Sequence, residues 1–267
     1  MMFTLSAEQT DFGGVLHEYL GAGKRDLAAL GVDEVTDPVD LVVVFEELGH
    51  HAVEGPLIES LAVLPALGAG PGSVAFPPVV PHAVEADHYF LVDGDTLHEA
   101  SPTAELSSVD PARRLVELTA GQVVATGVPA ERAFDLGVLT CSAQLLGLGR
   151  AMLEMTTAHA GARTQFGKPV GQFQAVKHHL ANVLIGLEMA RPLIYGAAVT
   201  LTARDVSAAK VAASDAAWAA ARTALQVHGA IGYTAEHELG RFLLQARALR
   251  TAWGSPSMHR ARVLEAL

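Results

Sequence analysis

Beyond residue 135 the sequence settles into long stretches in which apolar side chains recur every three or four positions. This periodicity constrains the fold more than any other feature. Segments 136–161, 171–203, 207–227 and 235–250 contain few prolines, and alanine covers several of their faces, as in AAKVAASDAAWAAARTAL. Alanine is the best helix former, and its small side chain lets helix axes approach closely. Four long helices joined by short connectors predict an antiparallel bundle. With small residues on more than one face, such a bundle has surface to spare for other subunits.

The preceding residues have a different texture. Asp37-Pro38 has the form of an N-cap followed by proline at the first helical position. Leu41, Val44, Phe45 and Leu48 follow at helical spacing, so an amphipathic helix is expected with Glu46 and Glu47 outward and Gly49 ending it. Residues 68–81 (GAGPGSVAFPPVVP) read as a loop or boundary, because their Gly and Pro leave no room for a long helix. From residue 83 to 131 the texture turns β-like, with the runs HYFLV, RLVEL and QVVATG and a hairpin signal at Asp93-Gly94-Asp95. These runs are too few for a free-standing barrel or sandwich. The expected architecture is mainly α with a small β domain: N-terminal helices over 1–67, a middle β domain over 68–131 and a C-terminal helical bundle over 132–267.

Half of the 267 residues are hydrophobic and 18% are charged, a composition able to bury a sizeable core. Residues 1–10 carry no basic cluster followed by an apolar stretch, and the apolar run 136–149 falls short of the ~20 residues of a membrane span. A soluble, cytosolic protein is expected. The single cysteine, Cys141, allows no internal disulfide and has no CxxC or histidine neighbour, so it reads as a core residue. The net charge of −11 argues against a nucleic-acid partner, but it is unevenly spread. Residues 1–131 hold 4 Lys+Arg against 21 Asp+Glu, and residues 132–267 hold 14 against 8. An anionic ligand would find the second half more congenial. Alternatively, an acidic and a basic surface pack on each other or on a partner.

Two clusters in the helical half carry chemistry. Arg163-Thr164-Gln165-Phe166-Gly167-Lys168-Pro169 runs on into Gly171-Gln172-Phe173-Gln174. A cation at a helix end, a Gly/Pro turn and a new helix start would set a guanidinium beside free backbone N–H groups, which suits a phosphate or pyrophosphate. The other cluster, Gln226-Val227-His228-Gly229-Ala230-Ile231-Gly232-Tyr233-Thr234, offers two glycines for close backbone approach and an amide that both donates and accepts. Taken singly, each reads equally well as helix capping, and His228 as a packed histidine.

Together, RTQFGKPVGQFQAVKHHLA and QVHGAIGYTAEHELGR resemble the acyl-CoA dehydrogenase family in order and separation. Weaker similarities lie in VFEELGHHAVEGPL, AVEADHYFLV and SSVDPARR. The resemblance implies a flavoprotein that binds FAD at a subunit interface, with these elements of one subunit reaching the adenine and pyrophosphate region of a cofactor held mainly by its neighbour. Carried over, Arg163 is the pyrophosphate cation, Phe166 a flank, Gln174 a second polar contact, and Gln226 with Gly229 and Ala230 the approach loop. Gln165 and Gly232 complete the implied cofactor set. Ala230 stands where the family commonly has a second glycine.

The resemblance also exposes absences. Where many members carry the catalytic glutamate in a Glu-Gly-Thr segment, this chain reads Ala252-Trp253-Gly254-Ser255-Pro256, with Trp253 at the glutamate position. An indole has no lone pair to accept an α-proton. Other members place the base earlier, in a segment like Leu-Asp-Leu-Glu-Arg; here Phe134-Asp135-Leu136-Gly137-Val138 has glycine. The segment that covers the flavin ring has no counterpart between residues 74 and 99. These features imply a shortened accessory subunit with no catalytic residue and no metal. A full-length acyl-CoA dehydrogenase partner, in an α2β2 assembly, would supply the base. An acyl-CoA, steroid-derived or otherwise bulky, would enter an emptied pocket, and an electron-transfer protein would be the acceptor. The alternatives are a self-sufficient flavoenzyme with a base relocated to Asp135, Glu154, His159 or His259, and a scaffold subunit that has lost FAD.

Overall fold

The structure is a computed structural model that describes residues 4–234 and 237–267. Helix α1 (Ala7–Gly21) starts with a reciprocal capping box between Ser6 and Gln9. Helix α2 (Pro38–His50) is capped by the Asp37 carboxylate, which accepts from the amides of Val39 and Asp40. A π-helical turn, Glu59–Val63, leads into the short α3 (Leu64–Ala66). Five strands follow: β1 (Ser73–Ala75), β2 (Ala83–Val84), β3 (Tyr89–Asp93), β4 (Thr96–Leu106) and β5 (Leu115–Thr126). The helical half comprises α4 (Ala130–Ala162), α5 (Gln174–Thr200), α6 (Ala203–His228), α7 (Leu239–Leu249) and α8 (Pro256–Glu265).

The sheet order is β1-β3-β4-β5-β2, with β1 parallel to β3 and the other pairs antiparallel. Asp93 pairs with Thr96, so Gly94 and Asp95 form a two-residue turn, and Gly94 takes the positive φ (59°) that such turns need. The expected turn is therefore present. The runs RLVEL and QVVATG fall almost entirely in one strand, β5, and its partner β4 has the largely polar sequence TLHEASPTAEL, with Pro102 inside it. β1 lies within the stretch expected to be a loop.

The core centres on α4, at 33 residues roughly 50 Å long. By length and composition α4 could cross a bilayer, but 89% of its apolar window is buried inside the protein. A row of alanines on α6, including Ala209, Ala213, Ala217, Ala220 and Ala224, is buried. Contact between α2 and α4 is closer still. A Cβ on Gly147 would stand 1.9 Å from the Glu46 carbonyl oxygen, and one on Gly49 would stand 2.1 Å from that of Gln144. Gly49 is thus a packing glycine inside α2 rather than its terminator.

The outward placement expected for Glu46 and Glu47 is overturned, because both are buried. Arg150 Nη1 donates to Glu46 Oε1 at 2.6 Å and to Glu47 Oε1 at 3.3 Å, and Tyr195 Oη donates to Glu46 Oε2 at 3.0 Å. Arg191 lies 3.7 Å from the same oxygen. Acids of the first half therefore meet arginines of the second across a helix interface, which accounts for part of the charge asymmetry.

Candidate functional site

Helix α4 ends at Ala162, and Arg163 turns to extended backbone while its N–H still donates to His159 O at 2.8 Å. Two short strands follow, β6 (Thr164–Gln165) and β7 (Lys168–Pro169), paired Thr164 to Pro169 and Gln165 to Lys168. Phe166 and Gly167 form the two-residue turn between them, both at positive φ (52° and 80°). For a bulky residue this conformation is costly. Phe166 is nevertheless 91% exposed, touched edge-on by Phe173 at 6.1 Å between ring centres. Arg163 and Gln165 are exposed beside it, as is Gln174 in the first turn of α5. Arg163 makes no ion pair among the described residues.

The second cluster begins at the end of α6. Gly229 has φ 62° and ψ −137°, a conformation open in practice only to glycine, and starts a 3-10 turn through Tyr233. Gln226 and Ala230 are exposed, and so are Ile231 and Tyr233. Gly232 faces inward: a Cβ there would come within 3.1 Å of His228 Cβ and 3.3 Å of Leu225 Cδ1. Its smallness lets the turn pack on α6. Ala235 and Glu236, part of the matching stretch and the start of the fourth expected helix, lie outside the described residues.

His159 and His228 bring the two clusters together, stacked with ring centres 4.3 Å apart, and His237 meets His228 edge-on at 4.8 Å. His228 is buried, with its Nδ1–H donating to Ala224 O at 2.8 Å. Burial holds both His159 and His228 below the usual histidine range. His228 is thus a packed histidine. An apolar cleft of about 540 Å³ opens beside the first cluster, lined by Leu153, Ala160, Leu180 and Leu184.

Trp253 is fully buried at positive φ (57°) between α7 and α8. Its ring lies 5.7 Å from that of Phe76 and 6.0 Å from that of Phe134. A Cβ on Gly137 would stand 2.5 Å from the indole. The two positions expected for a base are therefore in contact, and aromatic rings fill the space around them. The Trp253 carbonyl accepts from His259 Nε2 at 2.8 Å, and Ser207 Oγ pairs with His259 Nδ1 at 3.1 Å.

None of the four residues considered for a relocated base lies open in a cleft. Asp135 is buried against Arg262 at 2.5 Å, and burial raises its carboxyl above the usual range despite that partner. Glu154 is exposed and pairs with His50 at 2.9 Å. His159 is stacked as described, and burial pushes His259 down to about 4. Glu59 and Lys210 are among the buried ionisable groups that nothing in the sequence analysis anticipates. Glu59, on the π-helical turn, is almost fully buried; burial raises its carboxyl, opposed by Arg113 and by the nearby Trp253 indole. Lys210, fully buried in α6, donates to Leu249 O at 2.6 Å and to Cys141 Sγ at 3.0 Å. An acid inside the apolar run PLIESLAVLPAL was the available signal for Glu59. Nothing comparable marks Lys210, whose alanine neighbours suit any helix face. Cys141 is buried as expected.

Residues 128–267 match the acyl-CoA dehydrogenase, C-terminal domain family. The chain is 32% identical over 234 residues to acyl-CoA dehydrogenase IpdE2 of Mycolicibacterium smegmatis, covering 81% of this chain and 75% of that one. In fold it is similar to a chain of the ChsE4-ChsE5 complex from Mycobacterium tuberculosis, at TM-score 0.79 and 20% identity over 99% of this chain and 98% of that one. It is also similar to a chain of the Tcur3481-Tcur3483 steroid ACAD G363A variant, at TM-score 0.78 and 19% identity over 98% of each. With the family match covering more than half its length and IpdE2 matching most of the rest, this chain belongs to the acyl-CoA dehydrogenase family.

Proposed function

We propose that this chain is the non-catalytic subunit of a heteromeric acyl-CoA dehydrogenase, acting with a full-length partner in an α2β2 assembly to desaturate an acyl-CoA thioester. The observation that carries the reading is a contrast within one chain. At the family's base positions stand Gly137 and a fully buried Trp253, while the residues suited to hold a cofactor across an interface are exposed.

FAD is the cofactor of this family, where it supplies the two-electron acceptor for the desaturation. The exposed residues fit it. Arg163 would neutralise a pyrophosphate with its planar fork. Phe166 would flank the cofactor, and its costly backbone conformation is worth keeping if a partner covers the ring. The amides of Gln165, Gln174 and Gln226 would give further polar contacts. Gly229 and Ala230 would allow backbone approach, with Gly232 shaping the turn beneath them. Removal of the α-proton would fall to a carboxylate of the partner.

Two further features support a partner. The outer face of α5 exposes Leu184, Ile185, Met189 and Leu193, and only 39% of its apolar window is buried. Exposed apolar patches of this kind mark interaction surfaces. The likeness to the steroid acyl-CoA dehydrogenase pair favours a bulky acyl group, such as a steroid side chain, bound mainly on the partner, with an electron-transfer protein as acceptor. The test is co-expression with a full-length family member from the same organism. A yellow, active complex is expected from the pair and a colourless or poorly soluble protein from this chain alone. A yellow, active homo-oligomer of this chain would overturn the reading, and a colourless but stable complex would leave only a scaffold.

A further inference from the structure

Where α1 and α2 end side by side, four potential metal ligands converge. Glu47, His50 and His51 occupy positions i, i+3 and i+4 of the last turn of α2 and its C-cap, so they share one face, and His17 comes from the last turns of α1. One ligand atom from each lies within 4.8 Å of all the others. The imidazole centres are 4.7 Å (His17 to His51), 4.9 Å (His17 to His50) and 5.1 Å (His50 to His51) apart.

The hydrogen bonding of this cluster is incomplete without a cation. His17 Nδ1 lies 2.7 Å from Glu47 Oε2 and 3.3 Å from His51 Nε2. It carries one hydrogen at most, so only one of these contacts can be a full hydrogen bond. The second contact is at best a shared one, so an electron pair in the cluster is left without a hydrogen of its own. His50 Nε2 pairs with Glu154 at 2.9 Å, which leaves Nδ1 buried and without a partner among the described residues.

A divalent ion would engage all of these electron pairs at once. The 3.3 Å between His17 Nδ1 and His51 Nε2 is close to the edge of a tetrahedron with metal–nitrogen bonds of about 2.0–2.1 Å. The carboxylate of Glu154 behind His50, and Arg150 on the far oxygen of Glu47 at 3.3 Å, are the outer partners that orient metal ligands. Both helices present their C-terminal, partly negative ends to the site. His17 is half exposed, which gives an entry path.

We infer that His17, Glu47, His50 and His51 form a binding site for one divalent transition-metal ion of zinc type, clamping α1 to α2. Three imidazoles select such an ion over Mg²⁺ or Ca²⁺, which favour all-oxygen sites. No local pattern marks it, since His17 stands 30 residues before Glu47 and the other three ligands read as one face of a helix.

The full-length protein, purified with its partner where it has one and carrying a histidine-free tag, is stripped with EDTA and titrated with Zn²⁺ against a colorimetric chelator. One equivalent per chain is expected, together with a rise in melting temperature that Mg²⁺ does not produce. Co²⁺ should give the intense visible bands of a tetrahedral site. Paired replacement His17→Asn with His51→Gln should abolish the high-affinity equivalent. The exposed Glu154→Gln, which leaves the fold intact, should weaken it about 10- to 100-fold. His178→Gln with His179→Gln, on α5, should leave it unchanged. Absence of a stoichiometric equivalent, its survival in the His17/His51 variant, or its loss in the His178/His179 variant would each overturn the site.

Discussion

The indole of Trp253 occupies the space that a side chain on Gly137 would need: an ideal Cβ at 137 would stand 2.5 Å from both Cε3 and Cζ3 of the ring. Position 137 cannot take a side chain while position 253 keeps its indole, so the glycine and the tryptophan are a single packing solution. Gly137→Ala should cost about 1–3 kcal/mol by overpacking, and much less in a Trp253→Leu background. A double-mutant cycle from urea unfolding of the four proteins measures the coupling. Additive effects would show that the contact carries no energy.

The approach of α2 to α4 meets backbone rather than side chains at Gly147 and Gly49. Because a carbonyl oxygen cannot rotate away, Gly147→Ala should separate the helices and lower stability by roughly 3 kcal/mol or more, beyond the usual range for single substitutions. Soluble yield and melting temperature are the readouts. Gly161→Ala, with nothing within 4 Å of the new Cβ, is the matched control and should be neutral or slightly stabilising.

Buried Glu46 is the shared partner of Arg150, Tyr195 and Arg191. Glu46→Ala leaves Arg150 to Glu47 and Arg191 to solvent, both guanidiniums being partly exposed, and should destabilise by about 1–3 kcal/mol. Tyr195→Phe, which removes one hydrogen bond and no charge, should cost about 1 kcal/mol. Chemical denaturation of the two variants tests the ratio.

His259 sets an acid limit on the fold. Its folded-state value of about 4 lies below the 6.5 of an unfolded chain, so the unfolded state takes up the proton first as pH falls. The stability it contributes is complete above about pH 6.5 and is lost between there and about pH 4, by up to roughly 3 kcal/mol. The difference in unfolding free energy between wild type and His259→Gln, followed from pH 7.5 to about 4, should shrink by that amount. A constant difference would rule out a neutral, buried imidazole.

Under the proposed function, Arg163→Ala should lower retention of FAD by the complex about 10- to 100-fold, the loss expected for one charge-assisted contact. Arg204→Ala, an exposed arginine paired only with Asp205, is the control and should retain full flavin. Flavin absorbance per complex after gel filtration decides between them.

Local chemistry was legible in the sequence. Asp37-Pro38 announces the start of α2, Asp93-Gly94-Asp95 the hairpin, and the three-and-four periodicity the long helices, because each depends on residues a few positions apart. The misread features depend on distant partners. Glu46 and Glu47 sit on what looks like a solvent face of α2 until Arg150, about a hundred residues later, is packed against it. β4 is polar on both faces and interrupted by Pro102, so only its pairing with β5 identifies it. α8 is short and polar, and its start at Ser255-Pro256 lies inside the segment that resembles Glu-Gly-Thr only in position. In the candidate site, the two motifs and the gap at Trp253 could be read from residues, whereas the stacking of His159 on His228 required the fold.

The exposed face of α5 also bears on how much of this protein a cell can keep. Ile185, Met189 and Leu193 follow one another at four-residue spacing, a greasy ridge that quality-control proteases and chaperones recognise when it stays uncovered. Chains made in excess of their cover would be cleared as orphans. Abundance would then be set after translation, by the supply of whatever surface caps that ridge.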